Sequence, residues 1–273
     1  VLIASLISNI ICTIYLLIVN KILKNVKIKY IDKKLIKDLL KYSIPMIPNE
    51  LSWWIVHVSD RTIISYALGV AANGIYSVSC KFSNILSSIF NIFNLSWQES
   101  AALHINDTDK DEFFSNVINK VFNLFICFCI GILACLPFVF ELLIKDSYRE
   151  AYKYVPILLL ANIFSVLIGL IGSIYVAKKM TKEVAKTTMI AAIINLTIDI
   201  ALIKVIGIYA AAISTLVSYM LLSTYRYIDV QKYVKVKIPI KNIVVNSIIF
   251  ILVVVLYLYN NIALNVINLL LCI

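Results

Sequence analysis

Apolar runs long enough to cross a lipid bilayer recur along this chain. The hydrocarbon core takes about 20 helical residues to cross. Runs of that order cover residues 1–19, 74–96, 114–143, 154–177, 184–203, 207–225 and 243–259, with a weaker one at 43–59. A last run, 262–273, is too short to span alone by ordinary helix geometry. The runs hold few Gly or Pro and do not alternate polar with apolar residues, which favours helices over barrel strands. Of the 273 residues, 62% are hydrophobic and 15% charged. Soluble domains run near half apolar and about a quarter charged. A chain this short cannot hide the surplus in a water-solvated core, so lipid must be its solvent. The expectation is an all-α, polytopic integral membrane protein.

The net charge of +10 is carried in short blocks between the runs. Segment 20–41 holds Lys21, Lys24, Lys27, Lys29, Lys33, Lys34, Lys37 and Lys41. The turn after the fifth run holds Lys178, Lys179, Lys182 and Lys186, and the loop after the seventh Arg226, Lys232, Lys235, Lys237 and Lys241. These three stretches share one side if every run crosses. That side should be cytoplasmic, placing the chain in the inner (cytoplasmic) membrane as a multi-pass protein. Segment 99–112, on the same side, is acidic through Asp107, Asp109 and Asp111, which weigh little in the rule. No nucleic-acid motif accompanies the basic blocks, so no nucleic-acid partner is expected. In 20–41, Leu23, Val26, Ile31, Leu35, Leu39 and Leu40 recur at mostly helical spacing among the lysines. The pattern suggests an amphipathic helix on anionic membrane lipids, a plain charged linker being the alternative. Val1 opens inside an apolar run, and the chain reads as lacking an N-terminal part.

Enzymatic chemistry finds no purchase. No GxSxG, Walker loop or HExxH is present, and no extramembrane stretch is long enough for a catalytic domain. The six cysteines lie in apolar runs, and neither His57 nor His104 stands at ligand spacing to any of them. No metal site, cofactor or disulfide framework is expected.

Polar residues inside a span are costly unless they face protein or water. In the second run Glu50, His57 and Arg61 fall close to one helical face, with Trp53 and Trp54 beside them. A cavity-lining face is one reading; the other is that Asp60 and Arg61 end the helix at the interface. In the third run Ser77, Lys81, Asn84, Ser88, Asn91 and Gln98 recur at steps of three, four or seven. One polar stripe along a helix favours a wet cavity, although Lys81 could instead snorkel outward. Asn162, Ser165, Gly169, Gly172 and Ser173 have the spacing of close helix packing, as do Ala210, Ser214 and Ser218. Asp199, four residues after Asn195, is the sole carboxylate in its apolar run. It is expected to pair with a cation, bind a coupling proton or sodium ion, or hydrogen-bond a neighbour.

Two stretches resemble a known family. Tyr42-Ser43-Ile44-Pro45-Met46-Ile47-Pro48 precedes Asp60-Arg61, Gly69 and Gly74-Ile75-Tyr76-Ser77. Further on stand Gly169, Tyr175, Lys179, Lys182, Asn195, Asp199, Ile203, Gly207, Ala210-Ala211-Ala212, Thr215 and Tyr219. Over residues 35–233 the chain is similar to the second half of the Wzx-type polysaccharide flippases. Those belong to the multidrug/oligosaccharidyl-lipid/polysaccharide exporter (MOP) superfamily. It departs from the family where Lys204 replaces a common Pro and Tyr209-Ala210 a second Gly. The resemblance implies two six-helix bundles, of which this chain would hold one complete. Residues 1–33 would be the last helix of the first bundle and its connector, 34–237 the second bundle, and 238–273 an extra C-terminal helix pair. It implies alternating-access transport of an undecaprenyl-pyrophosphate-linked oligosaccharide for surface polysaccharide synthesis, beside glycosyltransferase or polymerase machinery. Arg61 and Lys81 would meet the diphosphate, Asn84, Ser88 and Asn91 the sugar hydroxyls, and Glu50 and Asp199 a coupling ion. The alternatives are a cation-coupled drug or metabolite exporter of the same superfamily and a non-transporting membrane protein.

Overall fold

The computed structural model describes residues 2–21, 32–259 and 261–271. Of the described residues 89% are helical, and none lies in a strand. It divides into two compact units, Val1–Ile44 and Pro45–Ile273.

The first unit holds α1 (Leu2–Val19) and α2 (Lys33–Ser43). Asp32 caps α2, its carboxylate accepting from the Lys34 and Leu35 backbone N–H groups at 2.8 and 3.4 Å. Leu35, Ile36, Leu39 and Leu40 form an exposed apolar stripe between the lysines, so the amphipathic reading holds for this part. Leu23, Val26 and Ile31 lie outside the described residues.

The second unit comprises α3 (Met46–Leu68), α4 (Val70–His104), α5 (Lys110–Leu143), a 3₁₀ segment (Asp146–Tyr154), α6 (Val155–Ala177), α7 (Thr181–Ile206), α8 (Tyr209–Val230), α9 (Ile240–Tyr259) and α10 (Ile262–Leu271). Four stretches, Lys110–Leu143, Asp146–Ala177, Thr181–Ile206 and Lys241–Tyr259, are apolar and long enough to cross a membrane. Helix α6 is central, packed against α4, α5, α7 and α8; α3 lies on α4 and α7, and α7 on α8. The sequence α3–α4–α6–α8–α7 thus closes on itself, with α5 outside and α9 and α10 packed on α5. Gly69 and Gly207, at φ of 95° and 60°, take the backbone between helices through a region that L side chains disfavour.

Three helix ends differ from the apolar runs, each because a buried contact outlasts the hydropathy. Helix α3 continues to Leu68 rather than stopping at 59, so Asp60 and Arg61 lie within it and do not end it. Helix α4 continues to His104, because Trp97 and Ala101 are buried. The Trp97 indole donates to the Leu170 carbonyl at 3.0 Å and lies among Phe93, Phe113 and Phe114. Helix α8 reaches Val230, which makes Arg226 a helical residue and not a loop one. The acidic stretch before α5 also acquires a reason. Asp111 accepts from the Lys235 backbone N–H at 3.0 Å, Ser115 from that of Lys237 at 3.0 Å, and Asn119 donates to the Lys237 carbonyl at 2.7 Å. These bonds strap the α8–α9 connector along α5. At the other end Tyr152 and Tyr257 stack at 3.9 Å, and each hydroxyl donates to the other's carbonyl, at 3.2 and 2.8 Å. Cys12, Cys80, Cys127, Cys129 and Cys135 are free thiols; Cys272 lies outside the described residues.

Candidate functional site

A cavity of about 880 Å³ opens into the bundle, walled by α3, α4, α6 and α8, with Val184 of α7. Its α4 wall follows helical periodicity. Cys80, Asn84, Ser87, Ser88, Asn91, Asn94 and Gln98 all line it, each within reach of one face at about 100° per residue. Opposite, Asn162 of α6 lines the cavity and donates to the Ser83 carbonyl at 3.2 Å, to Ser83 Oγ at 3.1 Å and to Ser87 Oγ. One amide thus ties α6 to α4 and consumes two serine hydroxyls, leaving Asn84, Ser88 and Asn91 exposed toward the lumen. Trp53 stacks on His57 at 6.4 Å and meets Tyr219 edge-on at 5.5 Å, giving the cavity an aromatic corner.

Of the residues singled out in the sequence, Glu50, Arg61, Asn84, Ser88 and Asn91 line this one cavity. Lys81 and Ser77 do not. The polar stripe on α4 is wider than its lumen face, and that face is centred nearer Ser87 and Asn91. On the helical wheel Lys81 falls about 20° past Ser88, at the edge of the lining face, and it is exposed without lining the cavity. Gly169 serves close packing, as its spacing suggested: a Cβ there would stand 2.4 Å from Phe90 Cε1.

Asp199 is absent from the lining and fully buried, one turn from Asn195 on α7. Its surroundings are not those of an ion pair. Neither of its carboxylate oxygens has a hydrogen-bond partner, nor do Asp60 Oδ1 and Asn195 Oδ1. Asp60, 4% exposed, accepts from Tyr76 Oη at 2.8 Å and Thr215 Oγ1 at 3.0 Å. Thr215 is joined in turn to the Asn195 amide, at 3.3 Å. Four acceptor atoms without donors thus lie on Asp60 of α3 and on Asn195 and Asp199 of α7, two helices that pack together beside the cavity that Asp60 lines. Burial without a counter-charge favours the protonated or cation-bound form of a carboxylate. Groups of three or more His, Cys, Asp or Glu side chains able to hold a metal do not occur among the described residues.

Two site residues escaped the sequence reading. Asp60 stands just past the second apolar run, where ending the helix is one of the two readings its position allows. Arg226 was assigned to a basic loop, yet it is 3% exposed and lines the cavity. The overlooked signal is spacing: Thr215, Tyr219 and Arg226 stand at i, i+4 and i+11, a single helical face.

The family model described as "Polysaccharide biosynthesis protein" matches residues 1–97. No curated protein matches the chain. Among solved structures, the chain is similar to the lipid II flippase MurJ in an inward closed conformation, at 17% identity and a TM-score of 0.65, covering 89% of this chain and 55% of that one. It is similar to an outward-facing multidrug resistance MATE family transporter of the MOP superfamily, at 18% identity and a TM-score of 0.58, covering 80% and 52%. A MOP superfamily transporter from Pyrococcus furiosus gives 18% identity, a TM-score of 0.59 and the same coverage. The chain spans little more than half the length of these proteins. Motifs, family model and architecture agree: the chain is an all-α polytopic membrane protein with the fold of the MOP-superfamily transporters, similar to the Wzx-type polysaccharide flippases.

Proposed function

We propose that this protein moves a lipid-linked oligosaccharide, carried on undecaprenyl pyrophosphate, across the cytoplasmic membrane by alternating access. The observation that carries the reading is a cavity in a lipid-solvated helical bundle, walled by amide and hydroxyl side chains and holding Arg61. A sugar diphosphate cannot cross an apolar core unaided. Asn84, Ser88 and Asn91 present donors and acceptors for sugar hydroxyls, while the Arg61 guanidinium suits paired phosphate oxygens. The helices within 34–237 serve as the second of two bundles, with 1–33 the end of the first and its connector and 238–273 an accessory pair. The stripe of α2 rests on anionic lipid. Asp60 and Asp199 take a coupling proton or sodium ion, whose arrival and departure would repack α3 against α7 and α8; Glu50 lies on the same cavity wall, within its polar reach.

A second reading has one observation in its favour. The carboxylate of Asp60 and the aromatic corner of Trp53 and Tyr219 border the same cavity, a combination suited to an organic cation. Reconstitution separates the two. The full-length protein in liposomes should carry a fluorescent isoprenyl-diphosphate sugar between leaflets and leave a cationic dye untouched. Transport of the dye with no movement of the diphosphate lipid would assign the protein to drug export.

A further inference from the structure

The transport reading leaves Arg226 unexplained. It lies in an apolar helix, 3% exposed. Its Nε donates to Thr187 Oγ1 at 3.2 Å; Nη2 donates to Thr187 Oγ1, Thr188 Oγ1 and the Val184 carbonyl at 3.0, 2.9 and 3.1 Å; Nη1 donates to the Ile168 carbonyl at 3.3 Å. Every one of these acceptors is neutral. The ion pairs among the described residues are Arg149–Glu141 and Lys232–Asp229, and neither involves Arg226. Asp229, less than a turn further along α8, is occupied by the Tyr175 hydroxyl at 2.8 Å and the Lys232 ammonium at 2.7 Å. A buried guanidinium with no counter-charge is expensive in a membrane bundle and marks a functional position.

The donor count indicates where a counter-charge would enter. A guanidinium offers five N–H groups. Nη1 carries two and has a single acceptor in Ile168, so one N–H is unspent. A Cβ on Gly172 would stand 3.2 Å from Nη1, and Gly172 and Arg226 both line the cavity. A side chain at Gly172 would press on Nη1, so glycine there keeps the approach to that donor from the cavity unobstructed. Thr187 and Thr188 fix the plane of the fork in advance, which preserves its geometry for phosphate oxygens.

Its level in the bundle is set by Thr188, whose hydroxyl accepts from Arg226 and donates to Asn49 Oδ1 at 2.8 Å. Arg226 therefore stands beside the Asn49 end of α3, three residues before the Asp229 that pairs with Lys232, on the basic side. Arg61 is twelve residues beyond Asn49 on the same helix, roughly 18 Å away at about 1.5 Å per residue. One diphosphate cannot touch both cations at once.

We infer that Arg226 is a second anion-binding residue, which receives the diphosphate headgroup of the lipid-linked substrate at the basic mouth of the cavity before Arg61 takes it further in. The assignment rests on the transport reading above. It is tested by titrating the full-length protein in nanodiscs with farnesyl diphosphate, farnesol and inorganic pyrophosphate. The unaltered protein should bind farnesyl diphosphate and not farnesol. Arg226→Met should weaken that binding tenfold or more at an unchanged thermal midpoint, and Arg226→Lys should fall between. Folded Arg226→Met protein that binds as tightly as the parent overturns the inference while leaving the transport reading standing. A parent protein that binds no diphosphate overturns both. Tighter binding of farnesyl diphosphate than of pyrophosphate identifies a lipid-linked headgroup; equal binding assigns the site to a free phosphate and overturns the lipid assignment. If Arg226→Met does not fold, phenylglyoxal modification of the unaltered protein decides, read at Arg226 by peptide mass spectrometry. Protection by farnesyl diphosphate but not farnesol supports the inference. Modification that farnesyl diphosphate leaves unchanged, or no modification at all, overturns it.

Discussion

Asp199 and Asp60 are buried carboxylates, and neither takes part in an ion pair among the described residues. In the proposed reading their unpartnered oxygens, with that of Asn195, take up a proton or metal ion at the α3–α7–α8 interface. The thermal midpoint of the purified protein should rise with sodium concentration or with falling pH. A ligand at tenfold over its Kd stabilises by about 1.4 kcal/mol. Asp199→Asn should abolish that dependence, because an amide supplies its own donor. A variant retaining the full parental response would dismiss Asp199 as the coupling group. Arg61 is a cavity residue and Lys81 is not, so their substitutions should part company. Arg61→Ala is expected to lower surface polysaccharide display about tenfold or more at normal membrane abundance, the loss of one charge-assisted contact worth roughly 1.5–3 kcal/mol. Lys81→Ala should have the smaller effect. Comparable losses would place the anion path on the outer face of α4.

Helix α6 is the element on which the bundle depends, and two of its residues are held in ways that substitution can measure. Gly169 lets the ring of Phe90 lie against the α6 backbone, and a methyl there would stand 2.4 Å from Cε1. Gly169→Ala should lower stability by about 1–3 kcal/mol through overpacking, read as a drop in the thermal midpoint. Asn162→Leu removes the bonds to Ser83 and Ser87 and should cost about 1–2 kcal/mol. An unchanged midpoint in both would mean that α4 and α6 are not coupled at this contact. Elements of this kind were largely legible in the chain. The apolar runs gave each helix its existence, the lysine blocks its turns, and the spacing of Gly169, Gly172 and Ser173 its packing face. Helix ends were less legible, since Trp97 and Ala101 extend α4 through contacts with α5 and α6 that hydropathy does not register.

At the scale of the whole molecule, hydropathy settles the solvent and hence the architecture, but not which faces of adjacent helices meet. The wall formed by Asn84, Ser88 and Asn91 could be read from one helix alone, because 3.6-residue periodicity is local. The Asp60–Asn195–Asp199 cluster and the acceptors around Arg226 could not, although the spacing of Thr215, Tyr219 and Arg226 marks one face of α8. Each depends on the register of helices distant in the sequence. The central claim is that one face of α4 borders a wet, polar lumen while the other meets apolar surroundings. Asn91 and Ile92 are adjacent and so at nearly one depth; Asn91 lines the cavity, and Ile92 is 74% exposed outside it. The most direct measurement is the labelling rate of single cysteines at these two positions by a charged, water-soluble methanethiosulfonate. It would be made in a full-length background free of native cysteines. The account predicts rapid labelling at 91 and little at 92. Equal rates, or faster labelling at 92, would contradict it.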